Sequence, residues 1–209
     1  MNPRHALILI AVAAVATACF LLAPSLLDDE RMRVAPIQAA ALLKSGILPA
    51  ERQFQLQRLL IEGNADSGSY AYISELSGLA PVDGRSLGLI PPVFHASQAA
   101  GENQISSGWD YDFAIYLPEG PDTASCDPFP AMRHGTNEGV GMRTRFFVAY
   151  AWPKKAEKHD LLFAMAQDGV LYSRKVVEGT IGRPPPWNAL TGGKGWGAPA
   201  GGGWKPFQK

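Results

Sequence analysis

The sequence predicts an α+β protein: an N-terminal transmembrane helix, then a helix packed on a roughly four-stranded antiparallel sheet, then an irregular Gly/Pro/Trp-rich C-terminal tail. Three observations predict it. Residues 6–27 carry no charged side chain. Between residues 109 and 177 stand four apolar runs with strand character. Residues 179–209 hold nine Gly and five Pro, a composition that disfavours regular structure.

Taken in order, residues 1–27 read as a signal anchor. As a helix, Ala6–Leu27 is roughly 33 Å long, close to the thickness of a bilayer's hydrocarbon core. Arg4 precedes it and Asp28, Asp29 and Glu30 follow it. Basic residues stay on the cytoplasmic side, which leaves residues 1–5 inside and the rest of the chain outside. This predicts a single-pass protein of a bacterial inner membrane, with its C-terminal domain on the periplasmic, extracytoplasmic side. Two other readings give the same placement. Ala16-Thr17-Ala18 is a small-x-small site for signal peptidase, and Ala16-Thr17-Ala18-Cys19 resembles a lipobox that would lipidate Cys19.

Beyond residue 27 the chain holds 18 basic and 19 acidic residues. A near-neutral domain excludes a nucleic-acid partner, which requires a basic face, and strong attraction to anionic lipid. The cysteines are Cys19 and Cys126. With Cys19 in the bilayer no intramolecular disulfide is expected, and Cys126 is a free thiol, read most simply as a half-buried small residue.

Residues 28–47 form a juxtamembrane linker and helix, Pro36–Ser45, which opens on Pro at a permitted position and ends at Gly46. Pro49 opens a second helix running to Glu62 and closed by Gly63-Asn64. Its apolar stripe is Phe54, Leu59, Leu60 and Ile61, while Arg52, Gln55 and Glu62 face water. Tyr70–Leu79 predicts a short helix. Trp109, Tyr111, Phe113, Ile115 and Leu117 alternate with Asp110, Asp112, Ala114 and Tyr116, the period of a strand with one buried face. Pro118-Glu119-Gly120 ends it. A second strand is Arg143–Trp152. The third and fourth flank Asp168-Gly169, a pair favoured in type I′ hairpin turns. Such a sheet buries one face under the helix and leaves the other for water or a partner.

In the segment after residue 178, Trp187, Trp196 and Trp204 are the candidate interaction residues. Large apolar rings are poorly used in a disordered tail, so they dock either on the domain's own sheet or on an envelope protein partner. Arg183-Pro184-Pro185-Pro186-Trp187 reads as a stiff spacer or a ligand for an aromatic groove.

An apolar helix, a polar helix, a loop and an antiparallel sheet, with Gly68–Leu76 following the helix, resemble type IV pilins and type II secretion pseudopilins over residues 48–178. The strand Phe146–Pro153 and the hairpin Gln167–Tyr172 also resemble the sheet of pilin-like exported proteins. The resemblance implies a structural or interaction module. The chain departs from the family in its leader: its first glycine is Gly46, and residues 6–27 contain no acidic residue. Leader cleavage and filament assembly by the family route are therefore not implied.

Two constellations carry alternative chemistry. Asn64, Asp66 and Glu75 occupy positions 1, 3 and 12 of a calcium-type loop, but positions 5 and 6 are Gly68 and Ser69, where a ligand and a glycine are needed. Cys126, Asp127 and His134 share the 118–142 connection, where a Cys–His pair would serve a membrane-tethered enzyme or ligand-binding domain. The chain lacks a nucleophile elbow, a phosphate loop and a zinc His-Glu-x-x-His. The expectation is a membrane-anchored envelope protein with a structural or interaction role, no catalysis and no cofactor.

Overall fold

A computed structural model describes residues 34–60, 68–90, 106–108, 110–126, 137–155, 161–176 and 182–208. No described helix is long and apolar enough to cross a membrane; residues 6–27 lie outside the described residues.

Residues 34–56 are one continuous helix as far as the described residues reach. The expected break at Gly46 is absent. Leu42–Ile47 is instead a π-helical segment, leading directly into α1, Leu48–Leu56. Pro49 explains the wider turn. Inside a regular helix its ring would clash with the carbonyl four residues back and leave that carbonyl without a donor. The π segment, in which Leu48 N–H bonds to Leu43 O, relieves that crowding. It also keeps Leu43, Ile47, Ala50 and Phe54 buried. α1 stops at Leu56, earlier than predicted; Ile61, Glu62 and the expected cap at Gly63-Asn64 lie outside the described residues. Arg52 is exposed as expected, whereas half-buried Gln55 donates from Nε2 to Thr144 O at 2.5 Å.

α2, Ile73–Ser77, is shorter than the predicted 70–79 helix and ends at Gly78 in the left-handed conformation. The irregular chain before it is held by buried polar groups. Glu51 on α1, fully buried, accepts Ala71 N–H at 2.9 Å. Tyr70 N–H bonds to Arg143 O at 2.9 Å, and the buried Arg143 donates from Nε to Pro118 O at 2.7 Å. A backbone that makes no sheet or helix bonds must find such partners when buried.

Among the described residues the sheet is antiparallel and has seven strands. These are β1 Ser106–Gly108, β2 Tyr111–Gly120, β3 Thr123–Cys126, β4 Val148–Pro153, β5 Leu161–Ala166, β6 Leu171–Lys175 and β7 Lys205–Pro206. A short helix, α3 Asn137–Met142, precedes β4. The spatial order is β1-β2-β4-β5-β6-β7, with β3 also paired to β2. The four predicted strands are β2, β4, β5 and β6. β2 runs past Pro118 to Gly120, because Pro118 lies where β2 meets β3 and the register shifts between Pro118 and Gly120. An irregular edge tolerates the missing N–H.

The sheet differs from expectation in one respect that governs the rest: both faces are buried. On one face β4 contributes Ala149 and Ala151, flanked in register by Ile115 and Phe113 on β2 and by Met165 and Phe163 on β5. This row of small residues is a trough, and the π segment lies against β4 and β5. The opposite face carries Ala114, Val148, Tyr150, Trp152, Leu162 and Ala164, which form a cluster with Leu190 and Trp204. Residues 182–208 supply that second cover. They are irregular, as their composition implies, yet the compact unit runs from Pro36 to Lys209 without a division at residue 179.

The β5–β6 hairpin is also built differently from the type I′ turn expected. Gly169 N–H bonds to Ala166 O at 2.9 Å, so Gln167-Asp168 is the central pair. Only Gly169 has positive φ, at 73°, the pattern of a turn followed by a left-handed glycine. Asp168 Oδ1 accepts Val170 N–H at 3.0 Å. A Cβ at Gly169 would stand 3.0 Å from Leu48 Cδ2 and 3.1 Å from Arg52 Nη2. Gly169→Val therefore combines backbone strain with a clash against the helix. We expect it to lower unfolding free energy by about 1–3 kcal/mol, read from denaturant unfolding; an unchanged midpoint would contradict this turn.

Candidate functional site

Strands β2, β4, β5 and β6 place Ala114, Tyr150, Ala164 and Tyr172 side by side in register across one face. Small and large residues alternate, so tail side chains fit between the tyrosines. Trp204, 6% exposed, packs its ring 5.9 Å from Tyr150. The Arg174 guanidinium covers Trp204 at 5.1 Å, and Arg174 Nη1 donates to Gly202 O at 3.1 Å. Burying a tryptophan of roughly 200 Å² contributes up to about 5 kcal/mol.

Tyrosine hydroxyls then pin the tail backbone. Tyr116 OH donates to Pro185 O at 2.9 Å. Tyr150 OH donates to Trp187 O at 3.0 Å and accepts Leu190 N–H at 2.8 Å. Trp204 Nε1 donates to Ala189 O at 2.9 Å. Burial pushes both phenols, Tyr116 and Tyr150, well above the ordinary tyrosine range. The Arg183–Trp187 stretch thus bonds to β2 and β4 rather than standing away from the domain.

The other two tryptophans sit at the surface of this layer. Trp187 and Trp196 are half-buried and stack at 4.6 Å with 21° between their planes. Trp196 Nε1 points at Thr123 O, 3.4 Å away, which ties the tail to β3. Gly197 has φ 75°, and a Cβ there would lie 2.7 Å from Phe146 Cε1, so only glycine lets the chain pass. Beside the pair lies a cleft with about 330 Å³ of empty volume including its mouth. Val148 and Leu190 line it, with Gln167 and Thr191 as its polar side chains. Thr191 Oγ1 is occupied by Asn188 O and Lys194 O. Gln167, half-buried, makes no side-chain hydrogen bond among the described residues.

The remaining candidates do not gather there. Cys126 is half-buried on β3, opposite Tyr116 in register; Asp127 and His134 lie outside the described residues. The 118–142 connection is partly structured, holding the end of β2, all of β3 and α3. Glu75 is buried and accepts Tyr72 N–H at 2.8 Å, the return bond of a capping box. Asn64 and Asp66 lie outside the described residues. Among the described residues no three His, Cys, Asp or Glu side chains gather to hold a metal ion. The sequence singled out the three tryptophans but not Gln167, which reads there only as turn-flanking. No protein-family model, curated protein or solved structure matches the chain.

Two outcomes follow for the tail's attachment. Tyr150→Phe leaves Leu190 N–H without its acceptor, so unfolding free energy should fall by about 1–3 kcal/mol and hydrogen exchange at the Leu190 amide should accelerate. The folded-state pKa of Tyr116 lies above the unfolded value of 10.0. Its contribution is therefore complete below pH 10 and is lost progressively above it. Urea unfolding above that pH should show a shallower loss of stability with pH in Tyr116→Phe than in the parent.

Proposed function

We propose that the protein is a membrane-anchored, extracytoplasmic binding module that contacts an envelope component through its C-terminal layer, without catalysis. One observation carries the reading: two stacked, half-exposed indoles border an open cleft on a layer otherwise committed to covering the sheet. Buried tryptophans such as Trp204 serve the fold. A surface pair beside a cleft offers apolar area with polar edges, which is what recognition surfaces use.

The uncharged run 6–27 and its flanking charges support the anchor. The helix described over residues 34–56 packs against an antiparallel sheet through Leu42–Ile47, an arrangement that supports kinship with pilin-like proteins.

The topology and the contact are tested separately. Protease added to spheroplasts should digest the domain, while the untreated chain stays in the membrane fraction at full mass; a soluble, shortened product overturns the anchor. After detergent extraction, the full-length chain should remain with sedimented envelope material, and Trp196→Ala should release it. Retention that ignores Trp187→Ala and Trp196→Ala alike overturns the assignment of the contact to this layer.

A further inference from the structure

We propose that the Trp187–Trp196 cleft binds a neutral sugar ring, so that the envelope component contacted is a glycan. The inference rests on the binding-module reading above and names its ligand class. Four features of the cleft lead to it.

First, none of the described residues that line the cleft is ionisable. A charged ligand entering a half-buried cleft would lose hydration without a counter-charge, an unfavourable exchange. Secondly, the two indoles stack nearly parallel, which leaves each ring one face turned away from the other. Indole faces attract the weakly polarised C–H groups that line one face of a pyranose, a dispersion-dominated contact supplemented by weak C–H donors.

Thirdly, the polar complement is a free primary amide. Gln167 offers one acceptor and two donors, none satisfied by a described residue. A sugar hydroxyl both donates and accepts, and bonds to such an amide in either sense. Trp187 Nε1 likewise makes no hydrogen bond among the described residues, adding a second donor.

Fourthly, the size and setting disfavour a polypeptide. The cleft is a shallow recess whose empty volume of about 330 Å³ takes in open solvent at its mouth, so a ligand lies across it rather than inside it. It is too small for a helix, about 10 Å across with side chains. Strand addition is also blocked: β4 and β5, whose residues line the cleft, are paired on both sides within the sheet. A single compact ring with a wet edge and an apolar face matches what remains. The cleft is also held in place before binding by the Tyr150 hydroxyl, Thr191 and the Gly197–Phe146 contact, which reduces the ordering cost of a weak ligand.

The test uses the full-length chain in lipid nanodiscs, with chitotriose and cellotriose as neutral probes in saturation-transfer NMR. Transfer to sugar ring protons is expected for at least one probe, with a dissociation constant on the order of 1 mM. Trp196→Ala should weaken binding about tenfold and Gln167→Leu about fivefold, with the melting temperature of Gln167→Leu unchanged. Absence of transfer from both probes overturns the glycan assignment, and so does transfer that is insensitive to both substitutions. Retention on envelope material that depends on Trp196 while both sugars are silent rejects the glycan and leaves the contact reading standing. Failure of retention together with saturable sugar binding rejects the envelope contact while keeping the sugar site.

Discussion

Strands β2, β4 and β5 bury side chains on both of their faces, so the sheet cannot stand with either face in water. This constraint organises the molecule. The trough of Ala149 and Ala151 takes the helix, and the alternating Ala114–Tyr150–Ala164–Tyr172 row takes the tail. Tyr150 is the point where the requirements meet. Its ring packs in the second core, and its hydroxyl holds both the Trp187 carbonyl and the Leu190 amide. A glycine-rich segment has little reason to adopt one conformation unless its backbone is held from outside, because glycine loses more freedom on ordering than any other residue. Hydroxyls rising from the sheet supply that hold.

The helix side solves a related problem with charge. Residues 69–72 cross the interior without regular structure, and their amides need acceptors. Glu51 reaches Ala71 N–H from α1, and Glu75 reaches Tyr72 N–H from α2. Arg143, also buried, bonds to the chain of β2 at Pro118. Desolvating such groups is costly, and they are retained where removing one partner would cost more. Helix, irregular segment and sheet are thereby fixed in one arrangement. The result is a rigid frame on which the tail layer is laid.

That rigidity gives the surface tryptophans their meaning. Trp187 and Trp196 stand on a segment already tied down by Tyr116, Tyr150, Trp204 and the passage of Gly197 over Phe146. Their rings, and the walls of the cleft beside them, are held in place by these contacts. A binding module gains from this because little ordering remains to be done on contact.

The local elements were largely legible. Period-2 alternation marks β2, the β5–β6 hairpin is signalled by Asp168-Gly169, and Tyr72, Ile73 and Leu76 mark α2. Three things were not. Gly46 and Pro49 read as a helix end and a new start, because local propensity contains no information about the trough that keeps Leu43, Ile47 and Phe54 on one side. Ala114 and Tyr116 read as a wet face, because alanine and tyrosine are tolerated in water and under a cover alike. Gln167 carries no local signal at all.

By itself the sequence did not mark β1, β3 and β7, but it determined the four strands β2, β4, β5 and β6, the uncharged run at the N-terminus, the near-neutral domain, and three tryptophans that had to dock somewhere. Those follow from short-range periodicity, composition and charge, which each segment carries alone. Only the tertiary structure decided that Trp204 is core, that Trp187 and Trp196 pair at the rim, and that Gln167 lies beside them. Those outcomes depend on contacts between residues far apart in the chain, and the glycine- and proline-rich segment has no conformation of its own from which they can be read. It takes its shape from the face it covers.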